Sequence, residues 1–92
     1  MRKRNRRFLG YPFNEIYFKP RGIPLRELET IIITDEELEA IRLRYLEKLN
    51  QEDAAKKMGI SQSQYQRDLA CVLEKITRAL IEGKAINVAK VV

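Results

Sequence analysis

Residues 51–65 read QEDAAKKMGISQSQY, and this stretch decides the fold. Asn50 is a good helix N-cap, and the alanines and methionine that follow recur at helical spacing, which predicts a short helix over Gln51–Met58. Gly59 suits the left-handed residue that ends a helix. Ser61 then caps the next helix. A short helix, a glycine turn and a capped helix have the dimensions of a helix-turn-helix.

The helix that begins after Ser61 is predicted to run to about Glu82, where Gly83 ends it. Ser61 and Gln64 are spaced as the two halves of a capping box. Apolar residues recur on one face of this helix, and we expect that face to pack against the rest of the domain. The stripe consists of Tyr65, Leu69, Val72, Leu73, Ile76 and Leu80.

An earlier helix is predicted over about Asp35–Leu49. Thr34 and Glu37 form a capping box at its start. One face carries the apolar residues Leu38, Ile41, Tyr45 and Leu49, which we expect to point inward. Leu43 points away from that stripe, so it is either covered by the aromatic N-terminal segment or a contact in a dimer.

Prolines and glycines argue against a helix before residue 33, where aromatic residues cluster. Short strands fit Glu15–Lys19, Glu29–Ile33 and Ala85–Val88. Tyr17 and Phe18 are expected in the core. The predicted fold class is mainly α: a three-helix helix-turn-helix domain over residues 34–92, winged-helix-like or sigma region 4-like. A basic arm and an extended aromatic segment over residues 1–33 precede it.

Charge is unevenly distributed. Residues 1–26 hold eight Lys or Arg and one Glu, residues 27–58 hold five basic and nine acidic residues, and residues 59–92 hold five basic and three acidic residues. This asymmetry predicts a polyanionic partner. The arm, expected to be disordered in the free protein, would enter a minor groove or hold phosphates, and its alternative role is a solubilising tail. Its cations are Arg2, Lys3, Arg4, Arg6 and Arg7.

Successive residues of an α-helix are rotated by about 100°, and this spacing predicts a polar face opposite the apolar stripe of the third helix. Arg suits guanine, Gln suits adenine and Ser suits either base, while free amides at the Ser61 tip suit a phosphate. The candidate readers are Ser61, Gln62, Ser63, Gln66 and Arg67. Glu74 would meet phosphate badly, so the contact should end near Ala70. Lys19 and Arg21, in a rigid turn at Pro20, are further candidate phosphate contacts, with a solvated loop as the alternative.

Several functional classes are excluded or disfavoured by composition. The 92 residues contain one cysteine, Cys71, and no histidine, so no internal disulfide and no conventional structural zinc site is expected. No apolar run approaches the roughly 20 residues of a membrane span, and no secretory signal follows the basic N-terminus. We therefore expect a cytoplasmic protein with no metal, no cofactor, no membrane contact and no small-molecule substrate. The lack of a catalytic set argues against an enzyme.

Three blocks of sequence carry a family resemblance: YFKPRGIPL at residues 17–25, DEELEAIRL at residues 35–43, and QEDAA with MGIS between residues 51 and 61. With residues 79–86, they resemble a small family of bacteria and archaea that is catalogued as uncharacterised and predicted to bind DNA. The resemblance implies a helix-turn-helix similar to the promoter-reading C-terminal domain of sigma factors. Two positions depart from the family pattern. Gln64-Tyr65 replaces Thr-Phe, and Asp68 replaces an apolar residue and needs a partner, for which Gln64 is a candidate.

The functional prediction is sequence-specific binding of double-stranded DNA by a transcription regulator. Two alternatives stay open: an RNA-binding module, in which aromatic residues and the arm meet single strands, and a protein–protein interaction adaptor. A possible homodimer is the other partner considered, because two-fold dimers commonly read operators.

Overall fold

The structure is a computed structural model that describes residues 7–89. Arg2, Lys3, Arg4 and Arg6 lie outside that range. Within it the chain forms two strands, three helices and a final strand. Their bounds are β1 Ile16–Phe18, β2 Thr30–Thr34, α1 Asp35–Ile41, α2 Gln51–Met58, α3 Gln62–Glu82 and β3 Ala85–Ala89, with a 3-10 turn at Leu25–Glu27.

The first helix begins as predicted and ends early. The Thr34 hydroxyl accepts from the Glu37 amide at 3.1 Å, and the Glu37 carboxylate accepts from the Thr34 amide at 3.0 Å, so the capping box is confirmed. After Ile41 the chain widens into a π-helical turn, Arg42–Leu46. Lys48 then adopts a left-handed φ of 62°, which ends the helical path. The predicted extension to Leu49 is therefore wrong.

The predicted inward face of the first helix is confirmed for Leu38, Ile41 and Leu49, which pack against the core, and is wrong for Tyr45. Ala40 and Leu43 are buried in the core, whereas Tyr45 is 44% exposed. Both Leu43 and Tyr45 lie in the π-helical turn, and Phe8 and Leu9 of the N-terminal segment lie near Leu43, with which they line a pocket. Coverage of Leu43 by the aromatic segment is confirmed, and its interpretation as a dimer contact is wrong.

The predicted bounds and caps of α2 and α3 and the glycine turn between them are confirmed. The Asn50 side chain accepts from the Asp53 amide at 2.8 Å, and Gly59 takes a φ of 72°. The Ser61 hydroxyl accepts from the Gln64 amide at 3.1 Å. The reciprocal half of the predicted Ser61–Gln64 box is absent from the described contacts, because the Gln64 side chain binds within α3 instead.

The core joins α1, α2 and the first half of α3. Tyr65 is fully buried, and its hydroxyl donates to the Ala40 carbonyl at 2.6 Å. Leu69 and Val72 continue the buried stripe as predicted. Further along α3 the prediction is wrong for Leu80, which is 74% exposed. The second half of α3 is buried on its other side, where Ala79 is 2% exposed.

The three strands form one sheet in the order β1–β3–β2. β3 pairs antiparallel with β1, with Val88 opposite Ile16, and parallel with β2, with Val88 opposite Ile33. All three predicted strands are confirmed. The expectation that Tyr17 and Phe18 lie in the core is wrong, since they are 53% and 57% exposed on the short edge strand β1. No helix within residues 7–89 is long and apolar enough to cross a bilayer.

Candidate nucleic-acid interface

The first turns of α3 present a polar face opposite the core. Gln62, Ser63, Gln66 and Arg67 are all exposed, whereas Tyr65 between them is buried. The amphipathic spacing of α3 therefore sets these four side chains on one surface. We call this surface, formed by Gln62, Ser63, Gln66, Arg67 and Ala70, the reading face.

The N-terminal tip of α3 is chemically distinct from the starts of the other two helices. The first turns of α1 and α2 contain acidic residues, whereas the first turn of α3 contains none. Ser61 satisfies only the Gln64 amide among the described contacts at this tip. The positive end of the helix dipole and the first amides at Ser61 thus favour an anion.

Two hydrogen bonds join three side chains of α3 at the edge of the reading face. Arg67 Nη2 donates to Gln64 Oε1 at 2.9 Å, and Gln64 Nε2 donates to Asp68 Oδ1 at 2.7 Å. Gln64 is therefore a partner of Asp68, as predicted. These contacts hold Arg67 against the side of α3.

Arg7 corrects one prediction about the basic arm. Its Nε donates to Asp68 Oδ2 at 3.0 Å, and its Nη1 lies 3.5 Å from Glu36 Oε1. The Arg7 side chain is only 16% exposed. Two carboxylates therefore hold this guanidinium in the folded domain, whereas the sequence prediction treated Arg7 as part of a disordered arm.

The residues after Arg7 fix the N-terminal segment to the turn between α2 and α3. The Phe8 amide donates to the Met58 carbonyl at 3.0 Å, and the Phe8 ring packs so closely on Gly59 that an added Cβ there would lie 2.9 Å from it. The Gly10 amide donates to the Glu39 carboxylate at 2.8 Å. That carboxylate also accepts from Arg42 and raises the pKa of the guanidinium. These bonds fix the N-terminal segment to the domain, with Arg7 next to Asp68 at the edge of the reading face.

The structure separates two predicted site residues from the others. Lys19 lines a groove with Leu80 and Lys84 at the C-terminal end of α3, and Arg21 follows it in an exposed turn. A helix of 21 residues is about 30 Å long, so this turn is remote from the Ser61 tip. Lys19 Nζ donates to the Ile23 carbonyl at 2.9 Å. Lys19 and Arg21 do not share a surface with the reading face.

Two cations near the glycine turn escaped the sequence prediction. Lys56 and Lys57 are exposed in the last turn of α2, separated from Gly59 by Met58. Their position between the inward residues Ala55 and Met58 could have identified them as outward-facing. They add positive charge beside the tip of α3.

The second half of α3 carries a line of ion pairs. Arg78 donates to Glu74 at 3.2 Å and to Glu82 at 3.1 Å, and the hydrogen bond to Glu74 is the main reason that the pKa of Arg78 is raised. A hydrogen bond from Lys84 lowers the pKa of Glu82. Within residues 7–89, no cluster of three or more His, Cys, Asp or Glu could hold a metal ion, and Cys71 is exposed.

The comparison with protein families decides the membership of this chain. A model of the family described as "Protein of unknown function DUF134" matches residues 1–90. The chain belongs to the DUF134 family. The expected membership in an uncharacterised family is thus confirmed.

The relatives extend across bacteria and archaea. A UPF0251 protein of Halothermothrix orenii is 54% identical over 71 residues, covering 77% of the chain and 53% of the relative. A UPF0251 protein of Methanosarcina mazei is 46% identical over 88 residues, covering 96% of the chain and 54% of the relative. The DUF134 chain thus spans about half the length of these relatives. No solved structure matches it.

Proposed function

We propose that this DUF134 chain binds double-stranded DNA sequence-specifically through a helix-turn-helix formed by α2 and α3, and acts as a transcription regulator. One observation carries the proposal: the reading face exposes Gln62, Ser63, Gln66 and Arg67 on a helix whose opposite face is buried. These side-chain types pair with base edges in the major groove, Arg with guanine and Gln with adenine. A helix so placed after a tight turn suits insertion into that groove.

The electrostatics around the reading face support the same proposal. The tip of α3 at Ser61 lacks acidic residues, and Lys56 and Lys57 flank it. Cations and helix N-termini are common phosphate contacts that position a protein on a duplex. The arm cations Arg2, Lys3, Arg4 and Arg6 precede Arg7, which lies beside the reading face, so we assign them to phosphates of the same duplex.

Selection of a preferred site from random duplexes, followed by fluorescence anisotropy, tests this proposal. Arg67→Ala should relax base preference at one position and weaken binding of the preferred site by about 5–150-fold, equivalent to about 1–3 kcal/mol. Arg26→Ala is the matched control, because it removes an equal charge from a side chain that is 81% exposed in the 3-10 turn, outside α3 and the reading face. It should leave base preference unchanged.

Two results would contradict the proposal. The absence of duplex binding at low salt would reject DNA binding altogether. Equal losses from Arg67→Ala and Arg26→Ala on every sequence would reject base reading by Arg67 and leave only general attraction to a polyanion.

An RNA-binding role is a second candidate, favoured by a separate observation. Tyr17 and Phe18 are more than half exposed on the edge strand, directly before Lys19. Exposed aromatic rings beside cations can stack unpaired bases. Competition between the selected duplex and single-stranded RNA at fixed salt separates the candidates: displacement by RNA that is lost in Tyr17→Ala would favour RNA binding.

The second half of α3 supports the proposal of a homodimer over that of an adaptor for another protein. Leu73 and Leu80 are 37% and 74% exposed on one side of the helix. Two antiparallel copies of α3 centred near Ile76 would set Leu80 of each copy beside Leu73 of the other. The same register sets Arg78 of each copy beside Glu74 of the other, so the face is self-complementary in charge and in apolar surface.

Sedimentation velocity over a range of concentrations tests this dimer. Leu80→Glu should reduce the sedimentation coefficient to that of a monomer. Leu46→Glu is the matched control, because Leu46 is 76% exposed but lies outside α3. A monomer in the unsubstituted chain, or equal effects of the two variants, would refute the proposed interface.

A further inference from the structure

A continuous line of polar contacts runs from the N-terminal segment to the reading face. It begins at Glu36, passes through Arg7 to Asp68, continues to Gln64 and ends at Arg67. The partners of Arg7 lie 29 and 61 residues away along the chain. The line therefore exists only in the folded protein.

Asp68 is the least favourable residue of this line for a nucleic-acid surface. It lies one residue after Arg67, and its side chain is 20% exposed. A bare carboxylate at this place would repel phosphates and would lose hydration without a partner. Arg7 supplies the compensating charge at 3.0 Å.

The two oxygens of Asp68 have different partners, and this has a consequence for Gln64. Oδ2 accepts from Arg7, and Oδ1 accepts from the Gln64 amide nitrogen at 2.7 Å. An amide that gives its NH2 group to a carboxylate must present its oxygen elsewhere. That oxygen faces Arg67 and accepts from it at 2.9 Å.

We propose that Arg7 is a positioning residue of the reading face: it neutralises Asp68 and, through Gln64, sets the direction of the Arg67 guanidinium. This inference rests on the proposed function. The backbone supports it, because the Arg7 amide lies 3.3 Å from Glu36 Oε2 and the Phe8 amide is bonded to Met58. Arg7 is thereby held as part of the folded domain.

A competing role for Arg7 is direct contact with a phosphate, and a double substitution separates the two roles. Arg7→Gln leaves the Asp68 carboxylate uncompensated, so binding of the preferred duplex should weaken about 10-fold. Adding Asp68→Asn removes the uncompensated charge and keeps an oxygen for Gln64, so affinity should return to within about 3-fold. A phosphate ligand would not be rescued in this way, and its loss would flatten the salt dependence by about one unit.

Base preference is the readout that a merely structural role would not change. Site selection with Arg7→Gln should relax the preference at the position read by Arg67 alone, and the double variant should restore it. Arg7→Lys should keep both affinity and preference because it keeps the charge. Arg26→Gln is the matched control, since it removes one cation whose side chain is 81% exposed. Thermal unfolding of each variant identifies losses of duplex binding that come from unfolding. If Arg7→Gln does not fold, the affinity and base preference of Arg7→Lys decide the test.

The outcomes separate this proposal from the proposed function. No duplex binding by the unsubstituted chain overturns both. Normal binding with an unchanged preference in Arg7→Gln, or equal losses in Arg7→Gln and in the double variant, overturns only the positioning role. Loss in Arg7→Lys equal to that in Arg7→Gln also overturns it, because charge would then not be the cause.

Discussion

Replacing Tyr65 by phenylalanine removes one oxygen atom from the centre of the core and leaves the ring in place. Tyr65 is fully buried, and its hydroxyl donates to the Ala40 carbonyl at 2.6 Å. This bond joins α3 to α1 across the core. Phenylalanine is the residue that the family resemblance implies at this position, so the substitution asks what the hydroxyl adds to this chain.

The expected cost follows from the burial of both partners. A hydrogen bond contributes about 0.5–1.5 kcal/mol to the free energy of unfolding, and a buried carbonyl that loses its partner costs about 1–3 kcal/mol. Because Ala40 also belongs to the helical backbone, we expect a loss of about 1–2 kcal/mol. For a domain of this size that corresponds to a decrease in Tm of roughly 5–15 °C.

Urea and thermal unfolding followed by circular dichroism measure this loss. Tyr45→Phe is the matched control, because Tyr45 is 44% exposed. Its effect should stay within about 0.5 kcal/mol. Equal stabilities of Tyr65→Phe and Tyr45→Phe would refute the assignment of a stabilising bond between α3 and α1.

The difference in stability between the unsubstituted chain and Tyr65→Phe should also depend on pH. Burial raises the pKa of Tyr65 to about 12, whereas the unfolded chain titrates near the ordinary value of about 10. The native state therefore holds its proton longer than the unfolded state. The contribution of the hydroxyl is fully present below about pH 10 and is lost as the pH rises through about 12. The stability advantage over Tyr65→Phe should decrease across that window, at up to about 1.4 kcal/mol per pH unit.

Three further predictions concern the arm and the turns. Deleting residues 1–6 removes four cations and leaves Arg7 in place, so the slope of log K against log salt for duplex binding should decrease by up to about 3.6; an unchanged slope would remove the arm from the interface. Asn50→Ala should lower the free energy of unfolding by about 1 kcal/mol through loss of the bond to the Asp53 amide, measured by urea unfolding, and no loss would reject that cap. Gly59→Ala should cost more than Gly83→Ala in the same assay, although both glycines have φ near 70°, because only Gly59 lies against Phe8. Equal costs would show that Phe8 does not pack there.

The elements whose signals are local were predictable from the sequence. Asn50, Gly59, Ser61 and Gly83 set the bounds of α2 and α3 through bonds and backbone angles within a few residues. The exposed positions of the reading face followed from the same helical spacing. The partner of Asp68 within its own helix, Gln64, was predictable for that reason as well.

The sequence predictions were wrong where contacts between residues far apart in the chain determine which side chains are buried. The π-helical turn after Ile41 and the N-terminal segment together place Leu43 inside and Tyr45 outside, and neither is visible in the periodicity of α1. Arg7 shows the same limit. Charge counting treats it only as a cation of the arm, whereas in the folded chain its guanidinium contacts Glu36 and Asp68.

The position of β3 in the centre of the sheet affects how the chain folds during synthesis. β2 ends at Thr34, but its partner begins only at Ala85, about fifty residues later. At a synthesis rate of roughly 5–20 residues per second, about 3–10 s pass between the synthesis of β2 and that of the strand that pairs with it. The helices can form and pack during that interval, whereas both outer strands keep unpaired backbone edges. The nascent chain is therefore most exposed to aggregation, and most open to chaperones, just before its sheet closes.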